Sequence, residues 1–255
     1  MKAFIKILIL LTVLTTIIFG QQFLVPVDLI NTPTAGTLGK GYFSTEMRFA
    51  TRGGVLGGIQ VGISDRFDIG LSYGGGRIIG NEEVIWNKQP GVLAKFRILD
   101  EGNNYPGAAV GFNSQGYGEY IDSLGLYEIR SLGAYAVVSK NWQTIFNSQL
   151  GLHLGINYSF EQPDSVRVPS LFMGISWEIS PQFGLFVEYD SAIDYEKYCD
   201  VGNFKITKGS GFLNAGIRIA VSEEFYVECD FNNLIFGENV ESFNREIKLK
   251  YISSF

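Results

Sequence analysis

From residue 41 onward the chain repeats one pattern. Apolar and polar side chains alternate with a period of two in twelve successive stretches. The last stretch shows it plainly. Ile247, Leu249, Tyr251 and Phe255 fall on one side, Lys248 and Lys250 fall on the other, and Ile252 is the exception. A period of two belongs to a β-strand whose two faces meet different surroundings. The predicted strands are 41–50, 55–63, 67–74, 91–99, 106–114, 130–139, 145–159, 169–179, 183–191, 211–221, 225–231 and 244–255. No stretch beyond residue 20 is apolar for the roughly 20 residues that a transmembrane helix needs.

The spacers alternate too. After the even-numbered strands they are about three to six residues, and after the third, fifth, seventh, ninth and eleventh about nine to nineteen. Only the link after the first strand, Thr51 to Gly54, is short where a long one is expected. Short turns at one end, long loops at the other and an even strand count are the signature of a membrane barrel. The expectation is an all-β fold: a single antiparallel transmembrane β-barrel of twelve strands over residues 41–255, with both termini periplasmic. A soluble β-sandwich alternates as well, but it hides its apolar face. Here the polar face is small and rich in glycine, with Gly62, Gly70, Gly111, Gly133, Gly155, Gly174, Gly184 and Gly216. Glycine suits the crowded, curved inside of a closed barrel.

The start of the chain is different. Lys2 and Lys6 precede an apolar run from Ile7 to Phe19, and Gly20 precedes Gln21. That is the form of a signal peptide over residues 1–20. Residues 21–40 carry Pro26, Pro33, Gly36 and Gly39 and predict an irregular, periplasmic N-terminal segment. Composition agrees with the barrel. There are 31 glycines, 13 tyrosines and 20 phenylalanines, with a formal net charge of −6. An acidic balance disfavours nucleic acid as a partner. Trp142, at an expected turn, and Trp177 fit an interfacial aromatic girdle.

Candidate chemistry lies on the inward face. By phase, Glu46, Arg48, Asp68, Lys95, Arg97, His153, Glu178, Glu188, Arg218 and Glu228 point into the lumen, as does Asp230. Such charges form either a paired network that fills the barrel or a selectivity ring. About eight strands leave room only for side chains, and 16–18 leave a water channel. Twelve lies between, so both readings stay open. His153 is the single histidine. Membrane hydrolases of this architecture place a serine two residues after the histidine, and here that residue is Gly155. No catalytic residue is expected, and no cofactor or metal ligand set. Gly74 to Gly76 is not followed by the lysine and helix of a phosphate loop. Cys199 and Cys229 would share an oxidising compartment, where a disulfide between them is an open question.

Four segments carry a family resemblance. They are Pro33-Thr34-Ala35, Gly62 to Tyr73 (GISDRFDIGLSY), Pro90 to Arg97 (PGVLAKFR) and Ala134 to Lys140 (AYAVVSK). Over roughly residues 26–220 the chain resembles the YjbH-type outer-membrane proteins, which are linked to exopolysaccharide and capsule production. The resemblance implies the outer membrane of a Gram-negative-type bacterium and a transport or envelope-assembly role, with exopolysaccharide export as one form. Three other readings accompany it: a structural or partner-binding barrel with a plugged lumen, a small-solute porin, and a membrane-embedded hydrolase. The expected partners are outer-membrane lipid, the barrel-assembly machinery, and a polysaccharide or periplasmic partner. Tyr251 and Phe255 are the candidate membrane-insertion signal for that machinery.

Overall fold

The computed structural model describes residues 26–122, 125–144, 148–161, 168–193, 211–235 and 244–255. The signal peptide and Cys199 lie outside the described residues. Among the described residues fifteen strands appear, in chain order. They are β1 (Tyr42–Phe49), β2 (Val55–Ser64), β3 (Phe67–Gly76), β4 (Ile85–Trp86), β5 (Gly91–Leu99), β6 (Gly107–Asn113), β7 (Tyr117–Ile121) and β8 (Leu126–Ile129). There follow β9 (Gly133–Gln143), β10 (Gln149–Tyr158), β11 (Ser170–Ser180), β12 (Phe183–Asp190), β13 (Phe212–Ala220), β14 (Phe225–Asn232) and β15 (Asn244–Ser254).

Twelve of these close a ring. The hydrogen-bonded order runs from β2 through β1, β15 and back along the chain to β5 and β3, and β3 pairs again with β2. Every pairing is antiparallel. At the seam Tyr42 faces Ser254 and Phe49 faces Ile247. Closure leaves no strand edge unpaired, which is the condition for β-structure to cross hydrocarbon. The twelve expected strands are all present.

The two faces are inverted relative to a soluble protein. Ile59, Leu71, Phe96, Leu171, Ile175 and Trp177 are exposed on the outside. Ser44, Asp68, Lys95, His153, Glu188 and Lys248 are buried inside. An apolar exterior around a polar interior is stable only with lipid outside, and short turns at one end with long loops at the other complete the geometry of an outer-membrane barrel.

The structure corrects three expectations. Lys140 to Trp142 is not a turn: β9 continues to Gln143, and Trp142 pairs with Leu150. Two of the long connections, those after β3 and β6, are not plain loops. β4 pairs with Gly75 and Gly76 at the end of β3, and β7 and β8 form a separate hairpin. The third correction is the largest. The described part of the N-terminal segment, from Pro26, does not lie in the periplasm: it is folded inside the barrel. Ile30 and Thr34 are fully buried there, and Leu29 nearly so.

Candidate functional site: an occupied lumen

Residues 26–38 form a narrow hairpin that enters from the short-turn end. Leu29 N–H donates to Thr32 O (2.9 Å), Thr34 N–H donates to Val27 O (3.1 Å), and Asp28 bridges Pro33. Ile30 and Asn31 make the two-residue tip. Pro26 and Pro33 have no N–H to leave orphaned, so they suit a segment without sheet partners. The remaining backbone groups must find partners inside the barrel, and the inward-pointing charges supply them.

At the tip, Glu188 on β12 is the central acceptor. Its carboxylate takes the N–H groups of Ile30 (3.1 Å), Asn31 (2.9 Å) and Thr32 (2.9 Å). It also takes the Thr32 hydroxyl (2.7 Å) and Asn214 Nδ2 (2.8 Å). Successive N–H groups converging on one anion make a nest, here closed on the protein's own carboxylate. The carbonyl side is held by cations. Lys248 Nζ (2.7 Å) and Arg48 Nη2 (2.9 Å) both donate to Ile30 O. Arg48 Nη1 donates to Asn31 Oδ1 (2.8 Å).

Lower down, Lys95 Nζ donates to Val27 O (2.7 Å) and Gly36 O (3.2 Å). Asp68 Oδ2 accepts from Leu38 N–H (3.0 Å) and from Gln60 Nε2 (3.0 Å). Ala35 N–H donates to Ser139 Oγ (2.8 Å). Packing completes the fit. A Cβ on Gly174 would stand 2.1 Å from Leu29 Cδ1, and one on Gly216 3.1 Å from Ile30 Cγ1. These inward glycines make room for the hairpin.

The other charges pair with one another. Arg218 Nε donates to Glu228 Oε1 (2.5 Å), its Nη1 is 3.9 Å from Glu178, and its guanidinium lies over the Phe186 ring. Lys248 Nζ also sits 2.7 Å from Asp230, and Arg48 Nε donates to Glu46 (2.7 Å). Arg97 stands apart. It points inward by phase but serves the short-turn end, where Nη2 donates to Asp65 O (2.6 Å). Thus Arg48, Asp68, Lys95, Arg218 and Glu188 reach the hairpin, with Arg218 Nη2 at 3.4 Å from Asp28 O. Glu46, Glu178 and Glu228 set those side chains in place. Lys248 belongs to the site and Lys250 borders it, 3.9 Å from Asp28 and 3.8 Å from Glu46; neither was among the candidates, although their alternation with Ile247 and Leu249 placed them on the polar face.

His153 is fully buried on β10, with Nδ1 2.8 Å from Ser139 Oγ and Nε2 3.0 Å from Ser176 Oγ. It ties β9, β10 and β11 together behind the hairpin. Neither it nor the two serines line a cavity described below. Among the described residues no group of His, Cys, Asp and Glu is arranged to hold a metal ion. Tyr251 and Phe255 lie outside, where Phe43 approaches both rings (6.1 and 6.4 Å between centroids).

The hairpin does not fill the lumen. A cavity of about 650 Å³ opens at the short-turn end, below Pro26, Val27 and Leu38. One of about 100 Å³ lies beside the hairpin, against Ser44, Gly58, Gln60, Gly70 and Ser72. One of about 60 Å³ sits above, under the β7–β8 hairpin. That upper closure is held by Arg77 on Glu119 (2.9 Å) and Arg52 on Glu128 (2.8 Å), and Tyr117 stacks on the Arg48 guanidinium at 4.2 Å.

No protein-family model matches the chain, and no curated protein does, so the YjbH-type resemblance stands on the four quoted segments alone. Solved structures align with most of the chain. The NanC porin aligns over 84% of this chain and 99% of its own, with 11% identity and a TM-score of 0.48. The KdgM porin aligns over 83% and 99%, with 11% identity and a TM-score of 0.47. An outer-membrane channel from Pseudomonas putida aligns over 86% and 98%, again with 11% identity and a TM-score of 0.47.

Proposed function

We propose that this chain is an outer-membrane transport barrel whose pathway is closed by its own residues 26–38. One observation carries the reading. The hairpin is held mainly by hydrogen bonds from its backbone to lumenal side chains, with Glu188 at the centre. Water can take over each of those bonds when the hairpin leaves. The ion pairs Arg218–Glu228 and Lys248–Asp230 would remain on the wall. The vacated lumen would therefore be a charged, wettable tube. An apolar plug would leave an apolar hole that excludes water.

The cargo class we favour is an envelope polysaccharide. The YjbH-type resemblance supports it, and a hydroxyl-rich chain suits a wall of paired charges that both donate and accept. Tyr251 and Phe255 are the proposed insertion signal for barrel assembly. The reading is non-enzymatic, since the buried His153 serves as a cross-link. A second reading has its own support: the five groups converging on Glu188 would equally suit a permanent plug in a partner-binding barrel.

Planar-bilayer recording separates the two. Deleting residues 26–38 should raise conductance sharply, and added oligosaccharide should then reduce the ionic current. A silent deletion variant would end the transport reading and leave the partner-binding barrel, which predicts a co-purifying periplasmic or surface partner.

A further inference from the structure

The three cavities lie in series. The upper and middle ones share Arg48, Leu56, Gln115 and Tyr117 as walls. The middle and lower ones share Lys250. Each is larger than the roughly 10–15 Å³ that a water molecule needs. The middle cavity is also polar: Ser44, Glu46, Gln60, Ser72, Gln115 and Lys250 line it, and polar walls of that kind hold water.

We infer that the plugged barrel retains a narrow water-filled path beside the hairpin, along β1, β2, β3 and β5, and that this path conducts small monovalent cations. The inference rests on the plug described above and assigns it a second consequence: the hairpin excludes large cargo while passing ions.

Two necks define the path. Toward the loops it passes Arg48, whose charge is met by Glu46 (2.7 Å) and Glu246 (3.6 Å). Toward the turns it passes Lys250, between Asp28 (3.9 Å) and Glu46 (3.8 Å). The two cations at the necks thus share three carboxylates, Glu46 standing between them. Along the walls of all three cavities acidic side chains outnumber basic ones, eight to four. Rings of excess carboxylate favour cations. The path needs no movement of the hairpin, because it runs on the side where the wall recedes. Gly58 marks that recess: a Cβ there would meet nothing closer than 3.7 Å.

The experiment uses the full-length barrel in planar bilayers with a potassium chloride gradient. The intact protein should show a small steady conductance with a cation-signed reversal potential. In Gly58→Cys, a bulky methanethiosulfonate reagent added during recording should abolish the current. The unsubstituted chain, treated alike, should keep it. Because the block follows folding and insertion, a folding defect cannot imitate it. In Gly58→Cys lacking residues 26–38 the same reagent should leave most of the large current. An intact barrel that is silent while the deletion variant conducts would overturn the side path and spare the transport reading. Silence in both would sink both. An anion-signed reversal potential would overturn the cation assignment.

Discussion

The lumen wall treats the hairpin in two ways. On the side of β9 to β13, wall and hairpin meet at close range. Leu29 abuts Gly174, Ile30 abuts Gly216, and Ala35 bonds directly to Ser139. On the side of β15, β1, β2, β3 and β5, contact is made at a distance, by Lys248, Arg48, Asp68 and Lys95. Glycines and serines on that side face a cavity instead. The near wall combines close packing with the Glu188 anchor, and the far wall reaches the hairpin through charged side chains alone. A shape fit is short-ranged and intolerant of added atoms. A charge fit reaches further and can be shared with water. The hairpin is therefore seated on one wall and tethered to the other.

The strongest way to break this comparison is to remove the anchor of the near wall. Glu188→Ala leaves the N–H groups of Ile30, Asn31 and Thr32 without their acceptor, and a buried donor left unpaired costs about 1–3 kcal/mol. Amides of residues 30–32 should lose hydrogen-exchange protection, and conductance should rise toward that of the deletion variant. Unchanged protection would mean that Glu188 is not the anchor. Gly174→Leu tests the close contact with Leu29. Overpacking of this kind costs about 1–3 kcal/mol, and the added Leu29→Ala should restore the seat. If the double variant is as loose as the single one, close contact is not what seats the hairpin.

On the far wall Arg48→Met strips Glu46 and Glu246 of their cation but should loosen the hairpin itself less, because Lys248 still holds Ile30 O and water from the adjoining cavities can replace the rest. Hairpin protection should persist while the small conductance of the intact barrel increases. A fully released hairpin would show that the tether matters as much as the seat. The smallest effect concerns the outer end. Glu224, in the turn between β13 and β14, accepts from Ser253 Oγ (2.6 Å) and Tyr251 Oη (2.7 Å), which hold its carboxyl below its ordinary 4.5. A carboxyl whose folded-state pKa is lowered stabilises above its unfolded value and loses that contribution as pH falls through the folded one. Thermal unfolding of the native barrel should therefore weaken slightly as pH drops below 4.5, and Glu224→Gln should flatten that slope. An unaltered slope would assign it to other groups.

Much of this was legible before folding. The alternation of Ile247, Lys248, Leu249, Lys250 and Tyr251 states which side of β15 meets lipid, because period two is a local property of the backbone. The turns were legible where polar residues broke the pattern cleanly, as at Asp65 and Arg66. They were misread at Lys140 to Trp142, where polar residues belong to a strand that outlasts its apolar run. The β7–β8 hairpin was missed because its strands, Tyr117–Ile121 and Leu126–Ile129, are short and carry no sustained alternation. The inward charges were identified, but as a network or a ring of side chains. Glu46, Glu178 and Glu228 do form such pairs, but the main partner of Glu188 and Lys95 is backbone, and a backbone carbonyl or amide leaves no mark in a sequence.

By itself, then, the sequence determined the inverted faces, the twelve strands, the short-turn and long-loop ends, and the identity of most lumenal charges. Each follows from a regularity within a few neighbouring residues. Only the tertiary structure decided what fills the lumen. Glu188 meets Ile30 across 158 residues of chain and Lys248 meets it across 218. Contacts of that kind depend on how twelve strands close around a space. An irregular segment with two prolines and two glycines becomes a plug only when that space has the right width and the right charges.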